Sequence, residues 1–384
     1  MKPFWIRAAS VACLMVLASA NAHCAPQTIW PFWDAYRTHF ITADGRIVDW
    51  SAEERTTSEG EAYALCFALV ANDRVSFDLI LNWTQDHLAK GSLQENLPSW
   101  LWKRSADGKW GVADSNPASD ADLWIAYTTI QAGRLWHEDS YANLGRRMAQ
   151  RIATEEVVQI PGNQFLLLPG PTGFNPIKDV YFANPSYAPL QLLAALGAEF
   201  PGGPWRELMD GVLKQLSANV GHGFAMDWVR LQTDSGYSGV AGPSAPGPGF
   251  GSYDAIRVYL WAGMLDPQAP GRSQLLANLS GMKAYLDTHV VPPERVSCEG
   301  TVANTKSPVG FSAAVAPFLM AFGDNIKSKA QLARLEKEKV NSTGLYGSEQ
   351  SYYDQNLALF ARGWSEGLFR FNAQGQLQVR WKAS

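Results

Sequence analysis

Apolar positions along this chain recur mainly at spacings of three and four, the period of a helix that buries one face. Read with capping residues and Gly/Pro stops, the pattern predicts twelve helices, beginning near residues 30, 59, 74, 120, 139, 187, 204, 253, 273, 310, 326 and 351. Ten of them fall in close pairs: 59 with 74, 120 with 139, 187 with 204, 253 with 273, and 310 with 326. Each pair reads as a helical hairpin. First members such as "DLWIAYTTIQAGRLW" are apolar nearly all round, whereas second members such as "SYANLGRRMAQRIATEEV" are amphipathic. First members, with the helix at 351, start mostly about sixty residues apart. Buried helices alternating with exposed ones predict an all-α fold, an (α/α)6 barrel with six inner and six outer helices. A stacked solenoid would need a repeated sequence motif, and none is visible. Strand-like pairs at 159–170 and near the C-terminus add minor β-hairpins, and "GPSAPGPGFG" at 242–251 reads as a loop. Nothing resembles a linker, so residues 23–384 are expected to form a single domain.

The first 22 residues follow different rules. Lys2 and Arg7 precede the apolar run Ala8–Ala20, and small residues end it at Ala20–Ala22. That is the pattern of a secretory signal peptide. The run of 13 residues is too short to span a bilayer, which needs roughly 20. Removing the leader takes away Lys2 and Arg7 and leaves 30 basic residues against 36 acidic ones, a net charge of −6. An acidic exported protein has no general attraction for nucleic acid. Cys24, Cys66 and Cys298 would remain. Cys66 reads as a small core residue; the other two could pair in an oxidising compartment. No CxxC or HExxH suggests a metal. "GHG" at 221–223 reads as a turn, and Asp34 as a helix-face residue. Fourteen of the fifteen tryptophans lie beyond the leader. Such an excess suits a cleft that stacks flat apolar ligand faces, as sugar rings have.

In a barrel of this kind the inner helices run the same way, so their N-termini gather at one mouth. At those termini stand Glu59, Asp120, Tyr187 and Asp254. Capping is the competing explanation. Acids in a first turn complement the helix dipole. Thr56-x-x-Glu59 and Ser58-x-x-Glu61 both fit capping boxes, and Ser119 could cap its own helix with Asp122 at the third position. Capping does not explain why the acids fall on the buried helices. Carboxylates converging in an aromatic cleft suit glycoside hydrolysis, which needs one protonated acid and one ionised partner. Burial and like charge must then raise the acid's pKa against the dipole. Arg257, one turn after Asp254, can keep that carboxylate ionised.

Four segments carry a resemblance: "TSEGEAYAL", "ASDADLWIAYTTIQAGRLW", "NPSYAP" and "SYDAIRVYLW". They resemble the signatures of glycoside hydrolase family 8, and the likeness continues through "LPSWLWKR", "GFAMDWVR", "PVGFSAAVAPFL" and "YYDQNLALFARGW". The resemblance implies an (α/α)6 barrel, inversion at the anomeric carbon and no cofactor. It implies Glu59 as general acid, Asp254 as general base, and Asp120 as the acid that binds and distorts the sugar at the cleavage point. Tyr187 and Arg257 would help to hold the attacking water and the base. Trp100, Trp102 and Trp228, in loop-like segments, could each stack a glucose ring or simply staple a loop to the barrel. Trp124 and Trp136 read as core. The implied protein is a secreted, periplasmic endo-β-1,4-glucanase acting on cellulose-type glucan beside a bacterial cellulose synthase machinery. For an inverting enzyme the two catalytic carboxyls should stand roughly 6.5–9.5 Å apart. The same scaffold could cut xylan, chitosan or mixed-linkage glucan, and a non-catalytic glucan-binding subunit is a further alternative.

Overall fold

The structure is a computed structural model that describes Met1 and residues 29–382, apart from positions 163 and 246. The expected signal peptide and Cys24 lie outside the described residues. The chain opens with α1 (Pro31–Phe40) and a short strand β1 (Thr56–Thr57), then forms the pair α2 (Ser58–Ala71) and α3 (Arg74–Leu88). A hairpin, β2 (Ser99–Arg104) and β3 (Trp110–Pro117), leads to α4 (Ser119–Trp136) and α5 (Asp139–Glu155). The hairpin β4 (Val157–Ile160) and β5 (Gln164–Leu167) and strand β6 (Val180–Ala183) precede α6 (Leu190–Glu199), α7 (Trp205–Gln215) and α8 (Ala218–Gly221). Then come β7 (Trp228–Gln232), β8 (Gly236–Val240), β9 (Phe250–Gly251), α9 (Ala255–Gly263), α10 (Arg272–Asn278) and α11 (Ser280–Thr288). Strands β10 (Arg295–Ser297) and β11 (Val302–Asn304) precede α12 (Val309–Ala321), α13 (Asn325–Lys337) and α14 (Tyr352–Ser365). The hairpin β12 (Phe369–Phe371) and β13 (Leu377–Val379) follows.

The inner ring is the circuit α2, α4, α6, α9, α12, α14, each packed on the next, with α14 returning to α2. On its outside lie α3, α5, α7, α10, α13 and α1, each against its inner partner. The sequence explains the division. Every residue of α2 except Glu59 is buried, and α12 is buried from Val309 to Leu319. A helix surrounded by other helices has no polar face to spare. Outer α5 buries only one stripe, Tyr141, Ala142, Leu144, Gly145, Met148, Ala149 and Ile152. Gly263 shows how close the inner helices approach: a Cβ there would lie 2.2 Å from Phe318 N on α12. Left-handed residues, Asn72 at φ 56° and His137 at φ 57°, end α2 and α4 and turn the chain into the outer layer.

An aromatic plug fills the barrel axis. Tyr63 packs edge-on against Trp124 (5.9 Å), Trp261 (6.1 Å) and Phe360 (5.2 Å), and Phe67 meets Phe360 at 4.6 Å. Trp124 and Cys66 are core, as expected; Trp136 is only half-buried, against Phe77 and Tyr141. Asp34 lies exposed on α1, and His222 and Gly223 form a left-handed turn.

Several local expectations are corrected. The outer helix expected from 273 is broken at Leu279 into α10 and α11. The helix expected from 187 starts at Leu190, because Pro185 and Pro189 confine the preceding residues to a 3-10 turn, Pro185–Tyr187. Neither capping box forms. Thr57 caps α2 by accepting from Gly60 N, while Glu61 accepts from Ile47 N at 2.9 Å and Thr84 Oγ1 at 3.4 Å. Ala118, not Ser119, is the N-cap of α4, and Ser119 Oγ has no hydrogen-bond partner. The strands beyond the two expected hairpins form three small sheets, β1-β2-β3, β6-β7-β8 and β9-β10-β11. Each strand is only two to eight residues long, too short for alternation to stand out in the sequence.

Candidate active site

The starts of the six inner helices, or the turns that lead into them, line one cleft of about 530 Å³. Its lining includes Glu59 at the start of α2, Asp120 at the start of α4, and Tyr187 on the 3-10 turn before α6. Asp254 occupies the N-cap position of α9 and Arg257 lies in its first turn; Pro308 precedes α12, and Tyr352 and Tyr353 open α14. The loops before the helices end here because each inner helix begins on the same side.

Arg257 is the centre of the arrangement. Its guanidinium is buried, with the side chain 2% exposed. Nη2 donates to Asp254 Oδ1 at 2.6 Å. Nη1 donates to Asp120 Oδ2 at 3.0 Å, to the Tyr63 hydroxyl at 3.1 Å, and to Glu59 Oε2. One fork therefore holds Glu59 and Asp120 on one nitrogen and Asp254 on the other. The Tyr187 ring lies 5.5 Å from the guanidinium carbon. The aromatic plug closes the floor beneath, through Tyr63.

Burial sets the electrostatics. The Glu59 carboxyl is raised to about 7: loss of water raises it most, Arg257 pulls it back, and the charges of Asp120 and Asp254 raise it further. Asp120 is also raised by burial, against Arg257 and the Ala121 N–H that its Oδ1 accepts at 2.8 Å. The site thus places a carboxyl able to hold a proton near neutrality beside a carboxylate paired to a cation. That combination can donate a proton to one atom while accepting one from another. Among the described residues no grouping of three or more His, Cys, Asp or Glu could hold a metal ion.

The glycine between Glu59 and Glu61 has a steric explanation. A Cβ on Gly60 would stand 2.0 Å from the Tyr352 hydroxyl, so only glycine lets α14 cross the start of α2 there. Glu61 faces away from the cleft, toward Ile47 and Thr84.

The tryptophans divide. All three lie on strands rather than loops. Trp100 on β2 lines the cleft. Trp102, two residues on, packs against Trp83 (5.7 Å) and His87 (5.3 Å) and is not part of the cleft lining. Trp228 on β7 stacks on Phe174 at 6.0 Å with rings nearly parallel, and stands 6.4 Å from Tyr187 at the edge of the mouth.

Comparison with known proteins gives the arrangement a family. The family model described as "Glycosyl hydrolases family 8" matches residues 3–367. The chain belongs to glycosyl hydrolase family 8. An endoglucanase of Xanthomonas axonopodis pv. citri is 42% identical, over 97% of this chain and 95% of its own. An endoglucanase of Escherichia coli K12 is 40% identical, over 98% and 97%. The crystal structure of endo-1,4-D-glucanase from Vibrio fischeri ES114 superposes with a TM-score of 0.81 at 36% identity, covering 92% of this chain and 99% of that one. Within this family 8 chain, the residues that sequence reasoning passed over are Tyr63, Tyr352 and Tyr353, from the inner ends of α2 and α14. Their signal was present: Tyr63 lies one turn after Glu59, and Tyr352-Tyr353 opens the sixth inner helix.

Proposed function

We propose that this family 8 glycoside hydrolase is an inverting endo-β-1,4-glucanase that cleaves cellulose-type glucan. Glu59 gives its proton to the glycosidic oxygen as the bond to the anomeric carbon breaks. Asp254 takes a proton from a water that attacks that carbon from the opposite face, so the new hydroxyl has inverted configuration. Asp120 binds the sugar at the cleavage point, and Tyr187 and Arg257 orient the water and the base. Trp100 offers a stacking face along the cleft. The proton on Asp254 then leaves to solvent and Glu59 regains one. The carrying observation is the Arg257 fork, which joins a carboxyl near pKa 7 to a second carboxylate on its other nitrogen. The names of the relatives, all endoglucanases where identity is 40% or more, support a β-glucan substrate.

Export to the periplasm and work beside a cellulose-synthesising machinery complete the reading. The leader pattern of residues 1–22 supports export, and the resemblance read from the sequence supports the link to cellulose synthesis. The decisive assay measures reducing ends released from carboxymethylcellulose by wild type, Glu59→Gln and Asp254→Asn. Each variant should lose about 10²–10⁴ in kcat, the usual worth of a positioned acid or base. Wild-type activity in either variant would remove that assignment. An early NMR spectrum of the products should show the α-anomer, and a β-anomer would overturn inversion.

A further inference from the structure

A further buried carboxylate, Asp227, stands outside the cleft lining. Asp227 lies on the segment between α8 and β7 and is 6% exposed. Its backbone N–H donates to Phe250 O at 2.8 Å. Its Oδ1 accepts from Ser252 N at 2.8 Å and from Ala255 N at 2.8 Å. Those contacts hold residues 250, 252 and 255, on both sides of Asp254. No side chain within the helix caps α9. The two segments touch so closely that a Cβ on Gly251 would lie 2.0 Å from Ala225 O. Asp227 is thus the cap of α9, supplied from another part of the chain, and it braces the turn that presents Asp254.

We propose that Asp227 is a positioning residue for hydrolysis: its carboxylate clamps the Ser252–Ala255 turn and so fixes where the Asp254 carboxylate meets water. The proposal rests on the reading of Asp254 as the general base. The geometry explains why Asp254 needs such a clamp. At 32% exposed, Asp254 is the most solvent-accessible of the three carboxylates on Arg257, which are otherwise 21% (Glu59) and 4% (Asp120) exposed. It also sits at the N-cap position of α9, where its own side chain makes no capping hydrogen bond. A charge here is tolerated at a cost. Burial and the Asp254 charge raise the Asp227 carboxyl to about 7, against the two N–H donors and Arg257. Other titratable groups facing it are Tyr259 from α9 and Tyr353 from α14.

The test compares Asp227→Asn, Asp227→Glu and Asp227→Ala, with Asp254→Asn as control, by kcat and KM on soluble cello-oligosaccharides. Thermal melts establish which variants are folded at the assay temperature. Asp227→Asn keeps an acceptor oxygen in place and should stay within about three-fold of wild type. Asp227→Ala frees the turn, and Asp227→Glu pushes it outward. Both should lower kcat by about 10²-fold with little change in KM, the cost of a misplaced catalytic group. If Asp227→Ala does not fold, the contrast between Asn and Glu decides alone: a Glu variant as active as wild type overturns the clamp. Asn and Ala variants equally impaired would assign the effect to charge and also overturn it. If Asp254→Asn is inactive while Asp227→Ala and Asp227→Glu keep wild-type kcat, only the clamp fails. If Asp254→Asn is fully active, the reading of the base fails and the clamp falls with it.

Discussion

Replacing Arg257 by lysine keeps the positive charge and removes the fork. The guanidinium meets Glu59, Asp120 and Tyr63 through Nη1 and Asp254 through Nη2. A lysine ammonium is a single point of three donors on a flexible stem. It cannot sit between Glu59 and Asp120 on one side and Asp254 on the other, so at least one charge-assisted bond is lost. Such a bond is worth about 1.5–3 kcal/mol net. If the lost contact is the one that orients Asp254 in the transition state, kcat falls about 10- to 100-fold. Stability should fall by a similar energy. For a chain of this length, with unfolding entropy of roughly 2 cal/mol/K per residue, that is a drop in Tm of only a few degrees. Arg257→Met is the harsher control. It leaves three carboxylates around an empty position, and breaking a buried pair in this way costs about 3–5 kcal/mol. The assay is kcat and KM on cello-oligosaccharides with melting curves for both variants. Arg257→Lys with kcat within about three-fold of wild type would refute the argument, because the fork would then be dispensable.

Three further outcomes follow from the same geometry. The Glu59 carboxyl, raised to about 7, must be protonated to act, so kcat/KM should fall as pH rises through about 7; a profile flat to alkaline pH would contradict the assignment of Glu59 as the acid. Gly60→Ala puts a methyl group 2.0 Å from the Tyr352 hydroxyl and should cost about 1–3 kcal/mol of stability; Tyr352→Phe should restore only part of it, because the ring carbon Cζ is 2.9 Å away. Asp122 and Glu156 are fully buried and face one another, with no donor from any other group at either carboxyl, so the pair is expected to hold a proton between them. Burial raises both carboxyls in the folded chain, so the stability they contribute is complete below the unfolded carboxyl range near 4 and is lost as pH rises through the folded values. Glu156→Gln supplies a permanent donor to Asp122 and should flatten the fall of Tm toward alkaline pH; an unchanged slope would refute the shared proton.

The barrel was legible because burial on all sides leaves a mark that one residue cannot hide. Helices α2, α4, α9 and α12 are buried on nearly every side and mostly apolar, and their partners are not, so layer and pairing could be read together. The convergence of Glu59, Asp120, Tyr187, Asp254 and Arg257 followed from the parallel direction of the inner helices. What escaped was set by groups far away in sequence. Thr56, Ser58 and Ser119 have the residue types of local caps. Yet α2 is capped by Thr57, and the Asp254 turn is held by Asp227, 27 positions earlier. A cap supplied through space leaves no spacing signature. Trp102 and Trp100 are two residues apart on one strand, but the strand's register shifts between Ser99 and Leu101 and again between Leu101 and Trp102, and Trp102 packs on Trp83 and His87 while Trp100 lines the cleft.

The placement of acids at helix N-termini looks at first unfavourable for a proton donor, since the positive end of the dipole lowers a carboxyl's pKa. The structure shows how the opposition is settled. The dipole effect is screened where water reaches the terminus, and its usual worth is 0.3–1 kcal/mol. Removing water from Glu59 acts in the other direction and dominates, with Asp120 and Asp254 adding to it. Arg257 then limits the rise to a value near 7 instead of leaving Glu59 permanently protonated. The same cation grips Asp254, whose side chain remains partly open to solvent. In the proposed mechanism two carboxyls at the same kind of helix end take opposite roles. The fold contributes their common mouth and the one guanidinium they share, and burial raises the Glu59 carboxyl in spite of that cation.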